Sequence, residues 1–322
     1  MMIQLDQRQL GATGITVPPL GVGIWSWGEK TFWGYGKTHT FNDVWQAYET
    51  CLDAGLNFFD TAEIYGRGES ERILGECGRK DGRPVIIASK FAPLPWRLST
   101  KALSQALDAT LERLGRTSID LYQVHWPYSL LGVNALMDAL AQAVRSGKIR
   151  AVGVSNYSAD LMRQAHARLA RYDIPLASNQ VHYSLLHRRP EANGVLDACR
   201  ALGVTLIAYS PLEQGLLTGK YRLTEAQPLA IPGPRRLTPA FSKAQRRRME
   251  PLMQALKDSA DAHGKTMGQV ALNWLLTTDT LVIPIPGAKN ARQAGENAGA
   301  LGWHLTQEEY ARVDLASRPW LR

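Results

Sequence analysis

Along the chain, short runs rich in β-branched and aromatic residues alternate with longer stretches whose apolar positions recur every three or four residues. The short runs lie at 20–25 (LGVGIW), 57–59 (NFF), 85–89 (VIIAS), 119–124 (IDLYQV), 149–154 (IRAVGV), 177–181 (ASNQV), 204–209 (VTLIAY) and 281–285 (LVIPI). Each has the length and composition of a buried strand. Most of the intervals between them read as amphipathic helices. Residues 100–115 put Leu103, Leu107, Leu111 and Leu114 on one face, and the helix over 133–148 stops at Gly147, where a left-handed glycine commonly ends a helix.

Strand and helix alternating at this spacing predict right-handed βαβ units and a parallel sheet. Eight such units predict a closed (β/α)₈ TIM barrel of the α/β class, one domain spanning 1–322. An open doubly wound sheet is the alternative. It lacks a nucleotide fingerprint here, because GVGIWS (21–26) and GRGESE (66–71) both miss the last glycine of G-x-G-x-x-G. Three segments stand outside the rhythm. Residues 8–17 read as an N-terminal β-hairpin plugging the barrel bottom. Residues 211–250 read as a long Pro/Gly-rich loop after strand seven, with Arg246 to Arg248 suited to a solvated helix face, and a loop that long is usually functional or disordered. Residues 306–321 read as an added C-terminal helix, with Thr306 and Glu309 forming a capping box.

Composition narrows the function classes. Lys and Arg number 37 against 29 Asp and Glu, a formal charge of +8. The one dense basic cluster, Arg235, Arg236, Lys243 and Arg246 to Arg248, lacks interleaved aromatics, so nucleic acid is not the expected partner. An anionic ligand fits the balance better. Cys51, Cys77 and Cys199 have neither zinc nor disulfide spacing. With no secretory h-region and no membrane-length apolar run, the expectation is a cytoplasmic protein that makes no membrane contact.

Active sites of such barrels lie at the C-terminal ends of the strands. The polar residues there are Asp60 after strand two, with Tyr65 just beyond, Lys90 after strand three and His125 after strand four. Singly, each has a structural role open to it, as a cap, a loop aromatic, a solvated strand end or a bonded core histidine. Together they suit proton delivery to a carbonyl. A tyrosine of pKa about 10 is a weak acid at neutral pH. An adjacent ammonium is expected to lower that value, Asp60 to hold Lys90, and His125 to direct the carbonyl oxygen.

The segments FFDTAEIYG, VIIASKF, IDLYQVHWP, IRAVGVSNY, NQVHYSLL, LIAYSPLEQGLLTGKY and VIPIPGAKNARQAGENAGAL follow one another over nearly the whole chain. As a set the sequence resembles the aldo-keto reductases, and residues 25–36 resemble the branch containing pyridoxal reductases. The resemblance implies the same barrel, and a catalytic tetrad falling on Asp60, Tyr65, Lys90 and His125. It also implies NAD(P)H bound without a Rossmann fold. Ser155, Asn156 and Gln180 end strands five and six and suit a carboxamide. Tyr209 offers a stacking face. A glycine-containing loop at 284–289 precedes a helix starting near Asn290, whose free N–H groups favour phosphate.

In the family, equivalents of Lys289, Gln293, Glu296 and Asn297 hold the adenosine phosphate end, and Lys289 leans the choice to NADP (NADPH). Lys220 and Arg235 lie where relatives fold a loop over the pyrophosphate. The implied cofactor set also takes in Trp25, Asp60, Ser210, Leu212, Gly215, Ile285 and Gly287. Around the mouth, Trp25, Trp27, Trp33, Trp96 and Trp126, with Tyr65 and His125, suit an apolar or aromatic carbonyl substrate.

Three functions are therefore expected in order. First is an NADPH-dependent reductase of aldehydes or ketones. Second is a cofactor-binding regulatory module that docks a protein partner, as the related potassium channel β subunits do. Third is a barrel enzyme without nicotinamide, such as an isomerase.

Overall fold

The computed structural model describes residues 6–222, 231 and 233–321. Strands β1 (Arg8–Gln9) and β2 (Thr16–Val17) pair antiparallel as the expected hairpin. Eight parallel strands follow: β3 (Val22–Gly23), β4 (Phe58–Asp60), β5 (Ile86–Phe91), β6 (Ile119–Val124), β7 (Ile149–Ser155), β8 (Leu176–His182), β9 (Thr205–Tyr209) and β10 (Val282–Ile285). Each bonds to its neighbour in sequence. The sheet closes on itself where Gly23 bridges Gly287 in parallel. Gly21 N–H donates to the Pro284 carbonyl at 3.0 Å, and Gly23 N–H to that of Pro286 at 3.1 Å. The seam is tight: a Cβ on Gly23 would lie 2.9 Å from the Ile285 carbonyl oxygen. Of the first run, expected over 20–25, only Val22 and Gly23 are strand residues.

The helices are α1 (Phe41–Asp53), α2 (Glu69–Asp81), α3 (Thr100–Leu114), α4 (Gly132–Arg145), α5 (Ala159–Ala170), α6 (Arg189–Ala192), α7 (Val195–Leu202), α8 (Lys243–His263), α9 (Met267–Thr278), α10 (Ala291–Ala298) and α11 (Gln307–Ser317). The α3 leucines are buried as their spacing requires, and Thr306 and Glu309 cap α11 reciprocally. No helix among the described residues is long and apolar enough to cross a membrane.

The segment 211–250 departs from expectation. It is not irregular to its end, because Ser242 caps α8, accepting a hydrogen bond from Gln245 N–H. Met249, Leu252, Met253, Leu256 and Ala260 form the buried stripe of α8, but Pro251 and the arginine run disguise it. Of those arginines, Arg246 turns back to the Tyr221 carbonyl at 3.2 Å. Residues 223–230 and 232 of the segment lie outside the described residues.

Two apolar layers result. Helices pack on the outside of the sheet. Inside, Leu10, Ile15 and Val17 of the hairpin meet Phe58, Ala88, Leu121, Ala177, Ile207 and Ile283, so the hairpin plugs the bottom. Side chains along a strand alternate with period two. One step up from Phe58, Ala88, Leu121 and Ile207, the inward positions are therefore Asp60, Lys90, Gln123 and Tyr209. The apolar floor and the polar mouth are successive layers of one barrel.

Leu10 is fully buried in that floor. Leu10→Ala should cost about 2–5 kcal/mol, the range for a buried leucine that leaves a cavity. Urea denaturation at unchanged m-value will measure it. An unshifted midpoint would mean that the plug carries no packing.

Candidate active site

Lys90 sits at the centre of the polar layer. Its Nζ donates to Asp60 Oδ1 at 2.5 Å and to the Thr61 carbonyl at 2.8 Å, and lies 3.4 Å from the Tyr65 hydroxyl. The Lys90 and Asp60 side chains are 0% and 3% exposed. Burying a charge pair costs several kcal/mol per ion unless further hydrogen bonds offset the lost water. Asp60 Oδ2 receives two, from Gln180 Nε2 at 2.7 Å and Gln123 Nε2 at 3.1 Å. Gly153 makes room for Gln123, since a Cβ there would stand 2.8 Å from Gln123 Cγ and 2.4 Å from Ser178 Oγ.

The electrostatics differ from expectation in one respect. Burial opposes the Lys90 charge, yet Asp60 and Tyr65 outweigh it, and the Lys90 pKa is raised. Tyr65 is not brought below its ordinary value. Burial raises its pKa, and Asp60 adds to this against the downward pull of Lys90. Loss of water around the hydroxyl costs a phenolate more than the nearby ammonium returns. Tyr65 is thus a fully protonated donor held against a cation.

His125 completes the set. Its ring meets Tyr65 edge-on at 5.7 Å and stacks on Trp126 at 4.0 Å. Burial first, and Lys90 second, push its pKa down to about 2, so the imidazole is neutral. Its Nδ1 is buried without a partner among the described residues. A neutral imidazole still carries one N–H to give.

Beyond the tetrad, the rim is tied together. Asn156, left-handed at φ +61, donates through Nδ2 to Ser155 Oγ at 3.0 Å and the His125 carbonyl at 3.2 Å. Its Oδ1 accepts from the Tyr209 hydroxyl at 3.0 Å. Ser155 Oγ donates to the Gln180 carbonyl at 2.9 Å. Gln180 itself turns inward onto Asp60, a tetrad contact that its strand-end position did not reveal.

On the other side of the mouth three cations converge: Lys220, Arg235 and Lys289. Among the described residues none forms an ion pair with a carboxylate. Burial, then Arg235 and Lys220, lower the Lys289 pKa to about 8. Burial and Arg235 likewise lower that of Lys220. Lys289 Nζ donates to the Trp33 carbonyl at 3.1 Å and lies 4.7 Å from the Trp33 ring, with Arg235 at 5.3 Å from the same ring. Arg235 Nη1 donates to the Gln214 carbonyl at 3.1 Å. Arg235 Nε, Gln214 Oε1 and Trp33 Nε1 are buried with no partner among the described residues. Gathered like charges and orphaned polar atoms fit a polyanion such as a dinucleotide pyrophosphate.

Helix α10 begins beside this cluster with Asn290 as cap. Gln293 Oε1 accepts from Lys289 N–H at 3.0 Å, and Asn297 Nδ2 donates to the Gly287 carbonyl at 3.2 Å. Glu296 pairs with Arg292 at 2.5 Å on the exposed face. Ile285 is buried at the seam. Ser210 (φ +53) and Gly215 (φ +94) flank Leu212 at the turn after β9.

A model of the aldo/keto reductase family matches residues 19–318. Over 317 residues the chain is 39% identical to the chloroplastic pyridoxal reductase of Arabidopsis thaliana, covering 94% of this chain and 84% of that protein. A solved glycerol dehydrogenase from Gluconobacter oxydans superimposes with a TM-score of 0.85 at 26% identity, covering 99% of this chain and 97% of the other. An aldo/keto reductase from Klebsiella pneumoniae in complex with NADP and acetate does so with a TM-score of 0.76 at 27% identity, covering 98% and 96%. The chain belongs to the aldo/keto reductase family.

In this aldo-keto reductase the mouth is lined by fewer aromatics than the sequence suggested. Trp25 stacks on Phe32 at 5.3 Å, meets Trp33 edge-on at 5.4 Å and lies 6.0 Å from Tyr65. Trp126 joins through His125. Trp96 does not join: it is 73% exposed and makes no ring contact with the group among the described residues. Its loop is instead pinned by Arg97, which pairs with Glu63 and donates to the Ala92 carbonyl at 2.9 Å. Trp27 is a core residue, fully buried with its Nε1 donating to the Ala288 carbonyl at 2.7 Å. Gln123 was missed, although its alternation with Leu121 on β6 marks it as inward-facing.

The depressed His125 pKa has a measurable consequence. Between pH 6.5 and about 2 the unfolded chain binds a proton at this residue that the folded chain refuses. Stability is therefore lost as pH falls through that window. His125→Phe should flatten the fall by one proton, roughly 1.4 kcal/mol per pH unit. Urea midpoints across the acid range will test it, and parallel curves would refute a neutral buried imidazole.

Proposed function

We propose that this aldo-keto reductase reduces aldehydes or ketones to alcohols with NADPH, with Tyr65 as the proton donor. The observation that carries the reading is the buried Asp60–Lys90 pair set against a protonated Tyr65 hydroxyl, with neutral His125 beside it. When bound, the cofactor supplies a hydride to the carbonyl carbon. Tyr65 delivers its hydroxyl proton to the carbonyl oxygen, and Lys90 stabilises the phenolate left behind. Asp60, braced by Gln123 and Gln180, keeps Lys90 charged and in place. The N–H of His125 directs the oxygen.

Lys220, Arg235 and Lys289 support binding of the phosphates, and Lys289 supports NADP in preference to NAD. Ser155, Asn156 and Tyr209 support a site for the nicotinamide. Trp25, Phe32, Trp33 and Trp126 favour an apolar or aromatic carbonyl, and similarity to a pyridoxal reductase puts pyridoxal first among candidates. Among the cations of the mouth, Arg97 is neutralised by Glu63, which agrees with an uncharged substrate. The free, buried cysteines support a reducing, cytoplasmic setting.

NADPH oxidation followed against pyridoxal, 4-nitrobenzaldehyde, methylglyoxal and an aliphatic aldehyde tests the reading. Turnover is expected on at least one aromatic aldehyde. In Tyr65→Phe it should fall by about 10²–10⁴-fold, as loss of a general acid does, with NADPH binding retained. Wild-type turnover in that variant would remove Tyr65 from the mechanism. Tight NADPH binding without turnover on any carbonyl would shift the reading to a cofactor-binding module that docks a protein partner. A second measurement addresses the cofactor. Lys289→Met should weaken NADPH by roughly tenfold or more, the size of one charge-assisted contact, while leaving NADH nearly unchanged. Equal losses for both would place Lys289 away from the 2′-phosphate.

A further inference from the structure

At the end of β8, His182 lies in register with Tyr209 of β9. Three rings stack there. His187 lies on one face of His182 at 3.9 Å and 9°, and Tyr209 on the other at 5.2 Å and 17°. Glu213 closes the group. Its Oε1 accepts from His182 Nε2 at 2.6 Å and from Ser184 Oγ at 2.5 Å.

Glu213 also begins an unusual turn. Glu213, Gln214 and Gly215 have successive φ values of +49, +54 and +94. Left-handed backbone is costly for residues bearing a Cβ and persists only where surrounding contacts enforce it. This turn carries the anion-facing cluster: the Gln214 carbonyl holds Arg235 at 3.1 Å, and a Cβ on Gly215 would stand 2.7 Å from Lys220 Nζ. The Glu213 carboxylate, close in sequence to those cations, is turned away from them and onto β8.

We propose that Glu213 and His182 are a positioning pair for the cofactor. His182 braces the Tyr209 ring from behind, leaving its other face for the nicotinamide. Glu213 anchors the left-handed turn that aims Arg235 and Lys220 at the phosphates. One carboxylate thus sets both ends of the cofactor bed. The inference rests on the reading of Tyr209 as the stacking face.

The test is NADPH binding by isothermal titration to Glu213→Ala, Glu213→Gln, His182→Phe and Tyr209→Ala, with thermal melts and steady-state kinetics alongside. Glu213→Ala and His182→Phe should each weaken NADPH by about tenfold, the effect of losing one hydrogen bond to a charged group. Glu213→Gln, which keeps an acceptor, should stay within about threefold of wild type by the same reckoning. The losses should appear in the KM for NADPH with kcat nearly constant, a split that a merely structural residue would not produce. Should Glu213→Ala fail to fold, His182→Phe carries the same expectation. Wild-type affinity in both, with Tyr209→Ala weakened, would overturn the positioning pair alone. Wild-type affinity in Tyr209→Ala would overturn the stacking assignment and the pair with it.

Discussion

The contact between Lys90 and Asp60 is the constraint from which the rest of the site follows. An ammonium with no exposed surface is tolerable only beside a carboxylate, and that carboxylate only if its second oxygen is also satisfied. Gln123 and Gln180 meet that need from β6 and β8, and Gly153 on the intervening strand leaves space for the reach. Five barrel strands, β4 to β8, are committed to stabilising one pair of charges. Burial keeps Tyr65 protonated despite the nearby cation, and it keeps His125 from taking up a second proton. Lys90 is thus held charged, Tyr65 protonated and His125 neutral.

Charge is divided across the mouth. On the aromatic side, Arg97 is cancelled by Glu63, and Trp25, Phe32 and Trp126 present ring faces. On the opposite side, Lys220, Arg235 and Lys289 crowd together, and burial with the neighbouring charges lowers the basicity of the two lysines. Trp33 stands between the two halves, in contact with the aromatic cluster and with two of the cations. The positive excess of the whole chain has a local meaning here. Part of that excess is gathered at one place, where Lys220, Arg235 and Lys289 converge with no carboxylate paired to them among the described residues.

Much of this was legible in the residue pattern. The eight strands, the hairpin, the capped C-terminal helix and the clustering of Asp60, Tyr65, Lys90 and His125 all follow from periodicity and from reading strand ends, because barrel geometry converts sequence position directly into height above the floor. The exceptions have physical causes. Helix α8 was legible only at Arg246 to Arg248, read as a solvated helix face, because Pro251 and consecutive arginines mask its regular apolar stripe. The direction of the Tyr65 shift was misjudged because a sequence shows which charge is near but not how much water has been removed. Trp96 and Trp27 share a residue type with Trp25 but not its place, one facing solvent and the other the core. Glu213 left no signal, since its role depends on a backbone turn that brings it across to β8.

The seam between β3 and the segment after β10 joins the two ends of the chain. Asp60, Lys90 and His125 are all made early in synthesis. Lys289 and the start of α10 are made last and are set in place only when Gly23 and Gly287 meet. Contacts so distant in sequence bear the full loop-closure cost before they return any stability. A chain emerging from the ribosome therefore carries Asp60, Lys90 and His125 long before the segment that closes the barrel exists. Any ligand whose site needs both sides of that seam can stabilise the fold by mass action only after closure.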